Sequence, residues 1–203
     1  FHPEDEATFQ KQLQNADSIE TKAAMWAIYG YYTDEFRVMQ EIYKLDSQRE
    51  HINFLLSRWV NIQESNINIY QENEITSLKK YHKEIKTTIN QKQLKWITEV
   101  ASKPELLHNP EIWNLAVGYL DIFQGNYKNA EKQFSDAAKN INSDNQLAKN
   151  QIRLFQLINK ISQIEKIDKS AEIELIEDLN WLYLNTENDN SFGTLRIDYA
   201  TVW

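Results

Sequence analysis

Only 4 Gly and 3 Pro occur in 203 residues, and this scarcity constrains the fold more than any other feature. β-Hairpins turn on residues that accept positive φ, Gly above all, and an all-β chain needs such a turn every few residues. A chain so poor in turn residues has room for long helices joined by short polar connections. Its hydrophobic share of 41% and charged share of 26% are those of a globular protein, and at this length most apolar surface can be buried. The predicted class is all-α, with residues 1–203 read as a single helical domain and a looser boundary near 64–74.

Charge and composition then exclude functions. A formal net charge of −8 opposes a general affinity for nucleic acid or anionic lipid, both of which need a surplus of Lys and Arg. Without Cys there is no disulfide, no thiolate nucleophile and no Cys-based zinc site. No apolar run approaches the roughly 18 to 20 residues that span a bilayer. The first residue is Phe1 and not Met, which fits a mature chain trimmed after a lipoprotein leader and fits a cytoplasmic fragment nearly as well.

Helical periodicity divides the chain into amphipathic segments. Pro3 and the acids Glu4, Asp5 and Glu6 suit a first turn, predicting a helix over 3–16. Asp17 with Glu20 reads as a capping box, followed by a helix whose apolar face carries Ala24, Ile28, Tyr31 and Tyr32. A third helix carries Phe36, Met39, Ile42, Tyr43 and Leu45. Ser47 with Glu50 reads as the clearest capping box, opening a broad face of Ile52, Leu55, Leu56, Trp59, Val60 and Ile62. One long helix is expected over about 75–101, and Asn109 before Pro110 is a natural cap for the next. Beyond 145, segments 146–164 and 171–184 read as an antiparallel pair, with Ile173, Ile176, Leu179 and Leu182 turned toward Ile152, Phe155, Leu157, Ile158 and Ile161. Phe192, Leu195, Tyr199 and Val202 fit one more helical face.

From Asn109 the chain reads NPEIWNLAVGYLDIFQGNYKNAEKQFSDAAKN. Gly125, Tyr127, Ala130, Phe134 and Ala137 stand at the spacing of one tetratricopeptide repeat, and residues 110–140 resemble that family. Small residues at Ala130 and Ala137 let two helices approach closely, while Tyr127 and Phe134 fill the gaps beside them. Trp113 and Gly118 are five apart where the family pattern wants four, so one of them, and not both, is in register with the second helix. The resemblance covers about a sixth of the chain. It implies antiparallel helix pairs stacked as a right-handed α-α superhelix, and a non-enzymatic, scaffold-like module that mediates protein or peptide interaction.

Other constellations read as ordinary surface or core. His2, His51, His82 and His108 have no ligand spacing, and no Gly-rich loop could cradle a phosphate. No metal and no cofactor is expected. Lys79, Lys80, Lys83, Lys86, Lys92 and Lys95 form the only basic stretch, read as a solvated helix face. Glu177 with Asp178 reads as exposed and untuned for acid–base work, so no catalytic residue is assigned. Trp26, Trp59, Trp96, Trp113 and Trp181 fall on apolar faces and read as core. A second reading, of another class, is an extracytoplasmic envelope protein that captures a ligand, a glycan first among them.

The candidate binding residues lie on the helix predicted over 110–124. Its apolar positions leave only the stripe Asn114, Gly118 and Asp121, and a helix apolar nearly all round belongs in the middle of an array. In the register that uses Trp113, the resemblance places this stripe in the groove that would touch a peptide.

Overall fold

The computed structural model describes residues 5–67, 89–165 and 168–186. Among them are nine α-helices, one 3₁₀ turn and no strand. The helices are α1 (Glu6–Gln14), α2 (Ile19–Tyr32), α3 (Glu35–Leu45), α4 (His51–Ile67), α5 (Gln91–Ala101), α6 (Pro110–Phe123), α7 (Tyr127–Asn140), α8 (Gln146–Ile161) and α9 (Lys169–Thr186), with the 3₁₀ turn at Pro104–Leu106.

Local chemistry explains most boundaries. Asp5, Ser18, Asp34, Asn90 and Asn145 each accept a hydrogen bond from a backbone N–H of the first turn that follows, satisfying a donor that has no partner inside its helix. Three expectations are corrected here. The cap of α2 is Ser18 and not Asp17. Ser47 and Glu50 form no capping box, because Asp46 accepts from the Gln48 N–H and binds Arg49, tightening a turn before α4 begins at His51. The long helix expected over 75–101 is interrupted at Asn90, whose side chain caps α5 through the Gln93 N–H at 3.2 Å. The earlier part of that prediction, the lysines from Lys79 to Lys86, and Phe192 to Val202 lie outside the described residues.

Packing follows chain order. α2 touches α3, α3 touches α4, α5 touches α6, α6 touches α7, α7 touches α8, and α8 touches α9. A second set of contacts joins helices that are not consecutive: α2 to α4, α4 to α6, and α6 to α8. One apolar cluster draws Phe9, Trp26, Met39, Trp59, Ile97 and Trp113 together with other residues of α1 to α6. Another gathers Leu115, Ile122, Ala130, Phe134, Ala137 and Ile152. α6 contributes to both, through Trp113, Val117 and Leu120 on one side and Leu115 and Ile122 on the other. Its apolar circumference is thus divided between the two clusters.

Two helices bury a different face from the one their sequence suggests. In α2 the buried residues are Ala23, Trp26, Tyr29 and Gly30, while Ile28, Tyr31 and Tyr32 are exposed. The rotation is set by Phe9, which stacks on Tyr29 at 4.1 Å and meets Trp26 edge-on at 4.7 Å, and by Gly30, which lies against Val38 and Leu55. In α9, Ile173 and Ile176 are 66% and 59% exposed while Leu175 is buried. Asp178 fixes that orientation: it binds Arg153 at 3.0 Å and Lys160 at 2.9 Å on α8, and Arg153 lies over the Trp181 ring at 4.6 Å.

Candidate functional site

The predicted stripe is the first place to look, and the structure puts it inside. Asn114 and Asp121 are each 5% exposed and Gly118 is buried between them. A Cβ added at Gly118 would stand 2.5 Å from the Phe134 ring, so Gly118 faces α7, while Trp113 is packed in the other cluster. The stripe is thereby turned toward α7. Asn114 donates to the Gln133 side-chain oxygen at 2.9 Å, and Asp121 accepts from Asn126 at 3.1 Å and from Asn129. Burial pushes the Asp121 carboxyl up, and those two amides draw it partly back. The residues expected to line a peptide groove, Asn114, Gly118 and Asp121, stand along the polar seam of the α6–α7 pair.

Trp113 has another task. It is fully buried in the first cluster, with its ring 6.0 Å from that of Trp96 and its N–H donating to Asn53 at 3.2 Å. Asn53 in turn donates to Asn109 at 3.0 Å, so Asn109 holds the predicted cap position without capping through its side chain.

The opposite side of α6 meets an open cleft of about 430 Å³ between α4, α6 and α8. Leu56, Val60, Ile112, Leu115, Ala116 and Phe155 supply apolar walls, and Ser57, Asn61, Glu64 and Gln151 supply polar ones. Ser57 and Asn61 are exposed, while Glu64, Ile112, Gln151 and Phe155 are half-buried. Tyr119 donates its hydroxyl to Glu64 at 2.5 Å, stacks on Phe155 at 4.7 Å and meets Phe123 edge-on at 4.9 Å. Glu64 is the one charged group among the described residues that line it. Apolar walls with a few convergent polar groups are the usual make-up of a binding cleft.

Two further clefts carry charged side chains. One of about 380 Å³ between α7, α8 and α9 contains the Arg153–Asp178–Lys160 cluster together with Glu131 and Asn159. Its cations are already engaged by Asp178, whose carboxyl they hold below its ordinary range against the opposing effect of burial. Asp178 is therefore a helix-joining residue, half-buried, and not the exposed acid its sequence position suggests. The other, of about 470 Å³, lies between α5, the 3₁₀ turn, α6 and α7 and is lined by Asn114, Gln133, Lys132 and Asp136, among others. Asn114 Oδ1 and Asn159 Oδ1 are buried with no hydrogen-bond partner among the described residues, and an acceptor left so costs about 1–3 kcal/mol.

Among the described residues no three metal-ligating side chains converge, and no helix is long and apolar enough to cross a membrane. His51 and His108 stand apart, His108 beside Glu50 at 3.1 Å; His2 and His82 lie outside the described residues.

No protein-family model, no curated protein and no solved structure matches this chain.

Proposed function

We propose that this chain is a non-enzymatic helix-pair module that holds a peptide or protein partner in the cleft between α4, α6 and α8. The observation that carries the reading is the lining of that cleft: apolar walls from three helices and, among the described residues, a carboxylate at Glu64 with no base beside it. Such a surface suits a segment that inserts an apolar side chain and brings a Lys or Arg to Glu64, and a chain of net charge −8 draws a cationic partner from a distance. The tetratricopeptide-like arrangement belongs to the same proposal. It is supported by the contacts of α2 with α4, α4 with α6 and α6 with α8, by Gly125 at φ 70° between α6 and α7, and by the full burial of Ala130, Phe134 and Ala137.

The test is selection of randomised 12-residue peptides on the full chain, followed by affinity measurement on two variants. Ser57→Trp fills the cleft from an exposed position, and Glu64→Gln removes its charge. Selected peptides should share an apolar residue near a Lys or Arg, and lose affinity about tenfold or more in Ser57→Trp, a change of about 1.4 kcal/mol. Peptides that bind both variants as tightly as the parent chain would exclude the cleft.

A further inference from the structure

We infer that Arg58 is a second contact for the partner proposed above, and that it takes an acidic side chain of the segment lying in the α4/α6/α8 cleft. The inference rests on that reading for the identity of the partner, and on an imbalance within the chain for the site. Four arginines stand among the described residues. Three of them bind a carboxylate: Arg37 meets Glu6 at 2.7 Å, Arg49 meets Asp46 at 2.8 Å and Arg153 meets Asp178 at 3.0 Å. Arg58 binds none among the described residues, although Asp and Glu outnumber Lys and Arg by 30 to 22 in the sequence. It is nonetheless held in place. Its guanidinium lies 4.5 Å from the centre of the Tyr31 ring, and Nη2 donates to the Tyr31 carbonyl at 3.2 Å. Nε is buried, so the terminal nitrogens are the donors that an acceptor from outside can reach.

A guanidinium fixed in this way presents its donors at a set angle, and a carboxylate is the acceptor whose geometry matches them. The surroundings decide what carries that carboxylate. Tyr31, Tyr32 and Phe54 are each about half exposed, and Ile28 is exposed. Tyr32 meets Tyr31 edge-on at 5.1 Å, Ile28 stands one turn before both on α2, and Phe54 stands one turn before Arg58 on α4. Residues three or four apart on a helix are surface neighbours, so Arg58 has aromatic and apolar side chains on two sides. Such a setting suits an acid carried on a peptide with an apolar neighbour. Because this surface continues past Arg58 onto α2, the segment continues as well, and the carboxylate is a side chain and not a chain end. Arg58 also borders the cleft: Ser57 precedes it, Asn61 follows one turn later, and both line the cleft. A segment that crosses the exposed stripe of α4 meets Glu64 on the α6 side and Arg58 on the α2 side. Six positions on α4 correspond to about 9 Å along the axis at about 1.5 Å per residue, and an extended segment advances about 3.3 Å per residue. The acid that meets Arg58 therefore stands about three residues or more from the base that meets Glu64.

The experiment uses the randomised peptides selected on the full chain, which are expected to share an Asp or Glu at that separation from their Lys or Arg. Arg58→Glu should weaken them about tenfold or more. Replacing the peptide's acid by Lys should restore affinity for Arg58→Glu and lower it for the parent chain. A role confined to clamping α2 to α4 would not respond to the partner's charge, so this exchange separates recognition from structure. Circular dichroism establishes that the variant is folded, and Arg58→Gln, which keeps a donor and drops the charge, gives the same comparison with an expected loss of about threefold or more. The inference is overturned if the selected peptides share no acid, if they bind Arg58→Glu as tightly as the parent chain, or if the exchanged peptide gains nothing on it. In each of those cases affinity lost in Ser57→Trp still upholds the cleft. Binding weakened by Arg58→Glu but not by Ser57→Trp would instead overturn the cleft reading and confine recognition to Arg58. A selection that yields no binding peptide overturns both.

Discussion

Gly118 and Gly125 sit seven residues apart and are glycine for different reasons. At Gly118 the limit is space, since a Cβ would meet the Phe134 ring at 2.5 Å. At Gly125 the limit is backbone, with φ at 70° and nothing within 4 Å of an added Cβ. Gly118→Ala should therefore overpack the α6–α7 contact and cost about 1–3 kcal/mol. Gly125→Ala should cost about 1–2 kcal/mol through conformation alone. Urea denaturation of both variants measures the two costs, and a neutral Gly118→Ala would mean that α6 and α7 do not cross there. Sequence spacing singles out both glycines, but it cannot tell which side of α6 the first one faces. Asn114, Gly118 and Asp121 look like a solvent stripe because their partners, Gln133, Phe134 and Asn129, belong to the following helix, which the periodicity of α6 alone does not register. Glu6 gives a second test at this scale. Arg37, then Tyr29 and Gln10, hold its carboxyl at about 2, below its ordinary 4.5. A folded-state value below the unfolded one stabilises the fold at pH above the unfolded value, and this contribution is lost as pH falls from about 4.5 toward 2. Glu6→Gln should therefore flatten the loss of stability between pH 5 and 2, as urea midpoints across that range would report. Asp121, raised by burial, acts with the opposite sign: its contribution fades as pH rises through its folded-state value.

At the scale of elements, α6 and α7 are the most legible part of the chain. Pro110 opens the pair, Gly125 turns it, and Ala130, Phe134 and Ala137 are all fully buried. Ala130→Leu should cost about 1–3 kcal/mol, since that residue is fully buried. α9 shows where the same reasoning fails. Its apolar residues surround the helix, so periodicity does not define one face, and the ion pairs of Asp178 with Arg153 and Lys160 decide the rotation. That rotation is testable: Leu175→Ala should destabilise by about 2–5 kcal/mol, while Ile176→Ala, at 59% exposure, should stay within about 0.5 kcal/mol. Equal effects would mean that α9 is turned otherwise. α2 is misread for a similar reason. Aromatic and small residues lie all round it, and the burying partner, Phe9, comes from α1.

Across the whole molecule, composition settles the class and packing settles the rest. So few Gly and Pro leave helices as the remaining option, and no strand is found among the described residues. The cleft between α4, α6 and α8 is not legible in the sequence, because it joins Glu64, Tyr119 and Phe155 from segments far apart in the chain. Since α6 contributes to both apolar clusters, unfolding followed by Trp fluorescence and by far-UV circular dichroism should coincide in a single transition. The central claim is that a partner segment lies in the α4/α6/α8 cleft, and absence of Cys from the chain allows it to be located directly. A nitroxide label placed through Ser57→Cys, at the cleft, or through Ser135→Cys, on the exposed side of α7, broadens the NMR signals of a nearby selected peptide. The account predicts that the label at position 57 broadens the signals of the peptide's apolar residue and neighbouring base, while the label at position 135 leaves them sharp; the reverse pattern would contradict it.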